Sequence, residues 1–348
     1  AGMAQASTTA LPKHLPAYGA DKPRPVPQIA QRTLPNGLTV WVVPREGLPK
    51  VNVALSVLGG TAADAAATPA MSQMMARLLD EGTASRSSRD IAEALQAIGG
   101  DYGAGADDDA IGIRASALAS HASQLLALVA DTALHPSFPA SEVALAKANA
   151  LQGLKVQEAD PDWQAGRAFS HAVYGDHPYA RDSLVEATVQ ATSRDSLRAL
   201  HDARFRPDRA LLVIVGRIDA DAAFKLAEQQ FGSWKADGKA LPDTAPAPRE
   251  AAPQRLLVAR DGAVQSNIRY GRPAVPASDP DYIPLTVANT ILGGGFTSRI
   301  TQDIREDKGY SYSPWSRCSA NRVGGSAVAT VDVRNEVTRA TLAELAKL

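Results

Sequence analysis

The sequence is poor in several features that would point to common functions. Its single cysteine, Cys318, excludes an internal disulfide and a zinc cluster built on cysteines. Glycine, proline or charged residues interrupt every apolar stretch, so none approaches the roughly 20 residues that a bilayer-spanning helix needs. The net charge is only −1, from 36 basic and 37 acidic residues. Neither nucleic acid nor membrane insertion is therefore expected.

Metal-binding and nucleophile patterns are also missing. None of the six histidines stands three or four residues from another, and His121, His135 and His171 have no partner nearby in the sequence. We expect His177 to be a packed, hydrogen-bonded histidine rather than a ligand. The acidic run at 107–109 lacks the spacing of a calcium loop, so we expect a solvated loop. No G-x-S-x-G sequence offers a serine nucleophile.

The length of 348 residues suggests about two domains of roughly 150 residues each, and a hydrophobic content of 45% supports a sizeable core. Residues 1–31, rich in alanine, proline and small polar residues, are expected to form a flexible arm. This leader has two possible origins, a mature end left by signal-peptide cleavage or a tag remnant ahead of Met3. We favour the first, which predicts a periplasmic or secreted protein. A cytoplasmic location stays open.

Local patterns predict an α+β protein with a mixed sheet and packed helices in each domain. RTLPNGLTVWVVP predicts a hairpin, residues 68–79 have helical spacing, and Ser87 with Asp90 predicts a capping box at a helix start. The proline- and alanine-rich segment 235–254 predicts a linker between domains at 32–234 and 255–348. In the second domain, RLLVAR and SNIRYGRPA predict strands, and SRITQDIREDKG predicts a helix.

Several segments together resemble the insulinase/pitrilysin family of zinc metallopeptidases. They are RTLPNGLTVWVVP, LLDEGTASRSSRDIAEALQAIGGDYGAGADDDAIGI, AVYGDHPYARDSL, ALLVIVGRID and GGGFTSRITQDIREDKGYSYS. The resemblance covers residues 32–348 and implies two homologous domains forming half of a clam-shaped peptidase. The second domain of that family is longer than what remains here. We therefore expect either a continuation past Leu348 or a shortened domain.

The resemblance also implies where a zinc site has been lost. Active members carry an inverted H-x-x-E-H motif on the helix before an L-x-x-G-T-like turn. Counting back from the turn at Gly82, those positions are Gln73, Ala76 and Arg77, and the third ligand position falls on Gly153. Glutamine is a poor zinc ligand, alanine takes no proton, arginine repels a metal ion, and glycine has no side chain. The resemblance thus implies no metal or other cofactor in this chain.

Two residues of the family pattern are retained, Arg305 and Tyr312, seven residues apart. The resemblance implies that they hold the backbone carbonyls of a peptide substrate and stabilise the oxyanion. The guanidinium donates in a fixed fork, and the phenol adds one directional donor. The alternatives are a surface ion pair for Arg305 and a core aromatic for Tyr312. A shift of two residues would exchange Tyr312 for Tyr310.

Gly293, Gly294 and Gly295 would let a loop approach a peptide closely, or would only end a helix. We interpret the chain as a non-catalytic, substrate-binding subunit of a heterodimeric zinc metallopeptidase that cleaves enclosed unfolded peptides. Its homologous partner would hold the zinc. The alternative is a structural or peptide-binding homologue with no proteolytic role, against which the retained Arg/Tyr pair argues. An autonomous peptidase with a relocated metal site is the weakest hypothesis, because no other ligand set is visible.

Overall fold

A computed structural model describes residues 19–20, 26–236 and 242–348 of the chain. Most of the predicted N-terminal arm at 1–31 lies outside these ranges, and so do residues 237–241 of the predicted linker. The predicted α+β class is confirmed, with one sheet in each half of the chain.

The first half is built on a six-stranded sheet. Its strands are β1 (Ala30–Thr33), β2 (Thr39–Pro44), β3 (Lys50–Leu58), β4 (Asp101–Ala106), β5 (Ala110–Leu118) and β6 (Ala210–Gly216), in the order β1-β2-β6-β3-β5-β4. Only β2 and β6 pair in parallel, so the sheet is mixed. The predicted hairpin is confirmed by antiparallel pairing of β1 with β2. Its turn needs a glycine at Gly37, where φ is +95°.

Helices cover this sheet. They are α1 (Met71–Ala76), α2 (Ser88–Ala97), α3 (Ala122–Leu134), α4 (Ala140–Ala159), α5 (Pro161–Tyr174), α6 (Glu186–Ala191), α7 (Arg194–Arg204) and α8 (Ala220–Phe231). The predicted capping box of Ser87 and Asp90 opens α2. Helix α1 is shorter than the predicted 68–79, because Ala70 takes a left-handed conformation with φ of 59° and the helix starts only after it. None of the described helices has both the length and the apolar character that a membrane crossing requires.

The second half carries a smaller, three-stranded sheet. Its elements are β7 (Gln265–Ala274), α9 (Tyr282–Leu292), a π-helix (Thr301–Asp307), β8 (Trp315–Ala320), β9 (Gly325–Arg334) and α10 (Thr338–Leu345). The strand order is β7-β9-β8, and both pairings are antiparallel, so this sheet is not mixed as the first one is. Ile268, Ile304 and Val331 form the centre of a separate small core. The predicted helix at SRITQDIREDKG is thus a π-helix over most of its length.

The strand predicted for RLLVAR is wrong. Residues 255–260 have no regular structure, and Leu257 is 91% exposed. An apolar run forms a stable strand only with a neighbour to pair with. Strand β7 pairs with β9 along its full length, and no described segment pairs with residues 255–260.

The acidic run at 107–109 joins the two halves and is not the solvated loop we expected. The Tyr179 hydroxyl donates to Asp109 at 2.6 Å and accepts from the backbone N–H of Val323. The backbone N–H of Arg322 donates to the other oxygen of Asp109 at 2.7 Å. The turn between β8 and β9 is therefore fixed to the end of β4 by hydrogen bonds.

Asp108 is the most perturbed carboxyl group of this contact. It accepts hydrogen bonds from the side chains of Asn321 and Thr61. Burial, together with the negative charge of nearby Asp182, raises its pKa to about 6. The contact between the halves thus contains a group that titrates close to neutral pH.

Candidate functional site

A buried ion pair fixes the start of helix α1, which carries two of the predicted zinc-site positions. Asp64 accepts hydrogen bonds from the backbone N–H and the hydroxyl of Ser72, at 3.0 and 2.8 Å. Arg204 donates to the same carboxylate at 3.0 Å, and the two side chains are 3% and 1% exposed. Burial raises the pKa of Asp64, although the hydrogen bonds of Ser72 and the charge of Arg204 oppose the shift. Helix α1 therefore begins at a rigid point.

Three of the four predicted zinc-site positions line one open cavity of about 230 Å³. Helix α1 supplies Gln73, the residue that caps its C-terminus is Arg77, and helix α4 supplies Gly153. Ala76 is fully buried and does not line the cavity. The complete lining is Gln73, Arg77, Asn149, Ala150, Gly153, Leu154, Gln157, Trp163, Asp182, Ser183 and Leu184. All of these residues belong to the first half of the chain.

The side chains around this cavity do not fit a zinc ion. The amide nitrogen of Gln73 donates to the backbone carbonyl of Asp182 at 3.1 Å. A Cβ atom placed on Gly153 would meet nothing within 4 Å, so the position of the third ligand is open space. Across the described ranges, no three or more His, Cys, Asp or Glu residues are grouped so that they could hold a metal ion. The role of the four positions as a former zinc site stays a prediction.

The predicted substrate-binding pair lies in the second half of the chain. The guanidinium carbon of Arg305, in the π-helix, lies 4.6 Å from the ring centroid of Tyr312 and 4.6 Å from that of Phe296. Its Nε pairs with Glu306 at 3.2 Å. Such contacts of a cation with aromatic rings are attractive and hold the guanidinium between them. Isolated π-helical turns are frequent at functional sites.

Exposure distinguishes the two candidate tyrosines. Tyr312 is 80% exposed, so it is not the core aromatic that the alternative required. Tyr310 is half-buried and packs against the small core of the second half. Arg305 has the ion pair that its own alternative required, with 25% of its side chain exposed. Contact of Arg305 and Tyr312 with a substrate stays a prediction.

The three glycines after α9 have different surroundings. A Cβ atom on Gly293 would lie 2.4 Å from the hydroxyl of Ser316, and Ser316 also donates its backbone N–H to the carbonyl of Gly293. A Cβ atom on Gly294 would lie 3.0 Å from Thr290, whereas one on Gly295 would make an ordinary contact. Close packing of the end of α9 against β8 thus leaves no room for a side chain at Gly293. Contact of any of the three with a peptide stays a prediction.

The sequence analysis did not identify several residues around the Arg305/Tyr312 pair and around the cavity. Phe296 stacks on Arg305, and the only signal was an aromatic residue directly after three glycines. The cavity also takes Asn149, Gln157 and Trp163 from helices α4 and α5, which the spacing of the zinc motif does not indicate. His177, in contrast, is hydrogen-bonded through both ring nitrogens, as expected for a packed histidine.

Comparison with known proteins gives one family for both halves. Residues 41–186 match the family described as insulinase (peptidase family M16), and residues 191–348 match the peptidase M16 inactive domain. An uncharacterized zinc protease of Mycobacterium leprae is 30% identical over 291 residues, which is 83% of this chain and 65% of that protein. The chain thus spans slightly less than two thirds of the length of this relative.

Solved structures show the same fold. A peptidase M16 inactive domain from Pseudomonas fluorescens superposes with a TM-score of 0.83 at 24% identity, over 90% of this chain and 76% of that one. A protease from Helicobacter pylori gives a TM-score of 0.86 at 18% identity, over 92% of this chain and 80% of that one. The two domain matches, the relative and the shared fold agree, and the chain belongs to the M16 (insulinase) family of peptidases, with a second half of the inactive-domain type.

Proposed function

We propose that this chain is the non-catalytic, substrate-binding subunit of a two-chain zinc peptidase. A homologous partner subunit would hold the zinc, and this chain would supply Arg305 and Tyr312 to the peptide enclosed between them. The observation that carries the proposal is the stacked pair itself. A guanidinium is held at a fixed place beside a phenol that is exposed and free to donate.

The hydrogen bonds that the pair leaves open suit this role. Only the Nε of Arg305 is engaged, by Glu306. Within the described part of the chain, the two terminal guanidinium nitrogens have no hydrogen-bond partner, and neither does the Tyr312 hydroxyl. These donors can bind the carbonyl oxygens of a peptide and the negative charge that develops on one of them. A purely structural subunit would need no such open donors on an exposed surface.

The cavity in the first half supports the assignment of hydrolysis to a partner. Gln73, Arg77 and Gly153 meet around it, and together they offer neither a zinc-binding set nor a base. These side chains support the proposal that this chain does not itself activate water by a metal ion at that place. We further propose a periplasmic or secreted location, supported by the polar, proline-rich composition of residues 1–31.

Mixing this chain with a zinc-bearing homologue tests the proposal. The purified chain alone is expected to leave a quenched fluorogenic peptide intact. Addition of the M16 homologue from the same organism that carries H-x-x-E-H is expected to give chelator-sensitive cleavage that exceeds the activity of either chain alone. Chelator-sensitive cleavage by this chain alone would overturn the proposal, and a lack of any effect of mixing would leave the structural homologue as the better account.

A further inference from the structure

The cavity between α1, α4 and α5 contains a cation without a partner. Arg77 lines it, is exposed, and makes no ion pair or side-chain hydrogen bond with any residue that the structure describes. An arginine in a concave site binds planar anions well, because its fork donates two parallel hydrogen bonds to one carboxylate. The cavity is therefore suited to a small ligand with negative charge.

The remaining lining indicates which anion. Gln73 donates its amide nitrogen to the carbonyl of Asp182, which fixes the amide group, and its oxygen has no donor among the described residues. Arg77 follows the last residue of α1 in a helical conformation, four residues after Gln73, so the two side chains lie on the same side of the helix. Gln73 therefore offers an acceptor for a peptide N–H, and Arg77 beside it offers a donor for a carboxylate.

The size of the cavity and the charge of its lining favour a small, singly charged ligand. A volume of about 230 Å³ lies below the roughly 300–1,000 Å³ typical of sites for drug-sized molecules, so the ligand is small. Asp182 also lines the cavity, and its negative charge opposes a doubly charged anion such as phosphate more than a singly charged carboxylate. The indole of Trp163 adds an apolar wall for a side chain.

We infer that this cavity binds the carboxylate of a peptide, from its C-terminus or from an acidic side chain, with Arg77 pairing with the carboxylate and Gln73 accepting an adjacent N–H. The vacated zinc position would then serve as a binding site of the chain itself. This inference does not rest on a partner subunit, because the isolated chain contains the whole cavity.

Calorimetric titration of the isolated chain tests whether the cavity binds a peptide carboxylate. The probes are N-acetyl-trialanine, the same peptide as its C-terminal amide, the amide of acetyl-Ala-Glu-Ala, and inorganic phosphate. We expect at least one carboxylate peptide to bind about tenfold or more tightly than the trialanine amide and more tightly than phosphate. Preference for free trialanine would identify a C-terminal site, and preference for the glutamate peptide would identify a side-chain site.

Variants locate the binding. Arg77→Gln is expected to reduce the affinity for the carboxylate peptide about tenfold or more, to the level of the amide. Gly153→Phe is expected to abolish binding, because its side chain would enter open space in the cavity. Arg89→Gln, which removes an exposed arginine of α2, is the matched control and should change nothing. Equal affinity for acid and amide, tighter binding of phosphate, or unchanged binding by a folded Arg77→Gln protein would overturn the inference. None of these outcomes bears on the mixing experiment.

Discussion

The guanidinium of Arg204 binds backbone carbonyls as well as a carboxylate. Besides pairing with Asp64, it donates to the backbone carbonyls of Gly60 and Ala63, at 3.1 and 2.7 Å, and to that of Gly59. These carbonyls lie between the end of β3 and the start of α1. One buried cation thus fixes the segment that determines where Gln73 and Arg77 stand.

Removal of this cation should be costly. In Arg204→Met, the carboxylate of Asp64 would stay buried without its counter-charge and the carbonyls would lose their donors. We expect a loss of about 3–5 kcal/mol in the free energy of unfolding, measured by urea denaturation. Arg198→Met, an exposed position of the same helix, is the control and should change stability by about 0.5 kcal/mol or less. A loss below about 1 kcal/mol for Arg204→Met would show that the pair does not hold this segment.

At the scale of elements, α1 and α4 bring three of the four predicted zinc-site positions to one cavity. The triple variant Gln73→His, Arg77→His, Gly153→Glu places two imidazoles one turn apart and a carboxylate in open space beside them. We expect it to retain about one zinc per chain after dialysis, measured by mass spectrometry of the metal content, whereas the unmodified chain retains none.

The matched control for this prediction is the double variant without Gly153→Glu, which should hold zinc more weakly because it has only two ligands. Stoichiometric zinc in the unmodified chain would contradict the loss of the site. A folded triple variant without zinc would show that the three positions do not face one another as the family pattern requires.

Local patterns allowed several elements to be predicted from sequence, and the failures have physical causes. Helix α2 opens at the capping box predicted from Ser87 and Asp90, and strand β7 covers the predicted strand SNIRYGRPA. Strand β4 was missed because its sequence, DYGAGA, consists largely of alanine and glycine, which have low strand propensity. The strand predicted at 255–260 does not form for a different reason: its residues are largely apolar, but no described segment pairs with them.

The candidate site could be predicted only in part. Family spacing gave Arg305 and Tyr312 as candidates, because the argument depends on residue type at fixed distances along the chain. It gave no indication of the π-helix, in which Lys308 donates to Asp303 five residues before it. The cavity was not predictable either, because α1, α4, α5 and the segment at 182–184 meet there only after folding.

At the scale of the whole molecule, the acidic run at 107–109 makes the contact between the halves sensitive to pH. Asp108 has a folded pKa of about 6, above its ordinary value of 3.8. A carboxyl group whose pKa is raised on folding binds its proton more tightly in the folded state. Its contribution to stability is therefore present in full below pH 3.8 and is lost as the pH rises through about 6.

Asp108→Asn tests this titration. Asparagine keeps an acceptor for Asn321 but does not titrate. Between pH 7 and pH 4.5, we expect the free energy of unfolding of the unmodified chain to rise relative to that of the variant by about 1–2 kcal/mol. Urea denaturation of both proteins at several pH values gives the difference, in which the other acidic groups cancel. A constant difference across this range would show that Asp108 does not titrate in the folded contact.

The central claim, that this chain contributes Arg305 and Tyr312 to the site of a partner, is tested most directly by kcat/KM of the reconstituted pair. Tyr312→Phe removes one hydroxyl from an exposed ring and should leave folding and assembly unchanged, which size-exclusion chromatography checks. We expect it to lower kcat/KM by about 10²–10³, the usual cost of one oxyanion donor. Arg305→Ala should lower it further and raise KM, because it also removes a contact with the bound peptide.

Tyr310→Phe is the matched control. Tyr310 lies two residues before Tyr312 and packs against the small core of the second half, so this change should have little effect. The account predicts losses for Arg305→Ala and Tyr312→Phe together with near-normal kinetics for Tyr310→Phe. Normal kinetics for both Arg305→Ala and Tyr312→Phe in an assembled, active pair would contradict it.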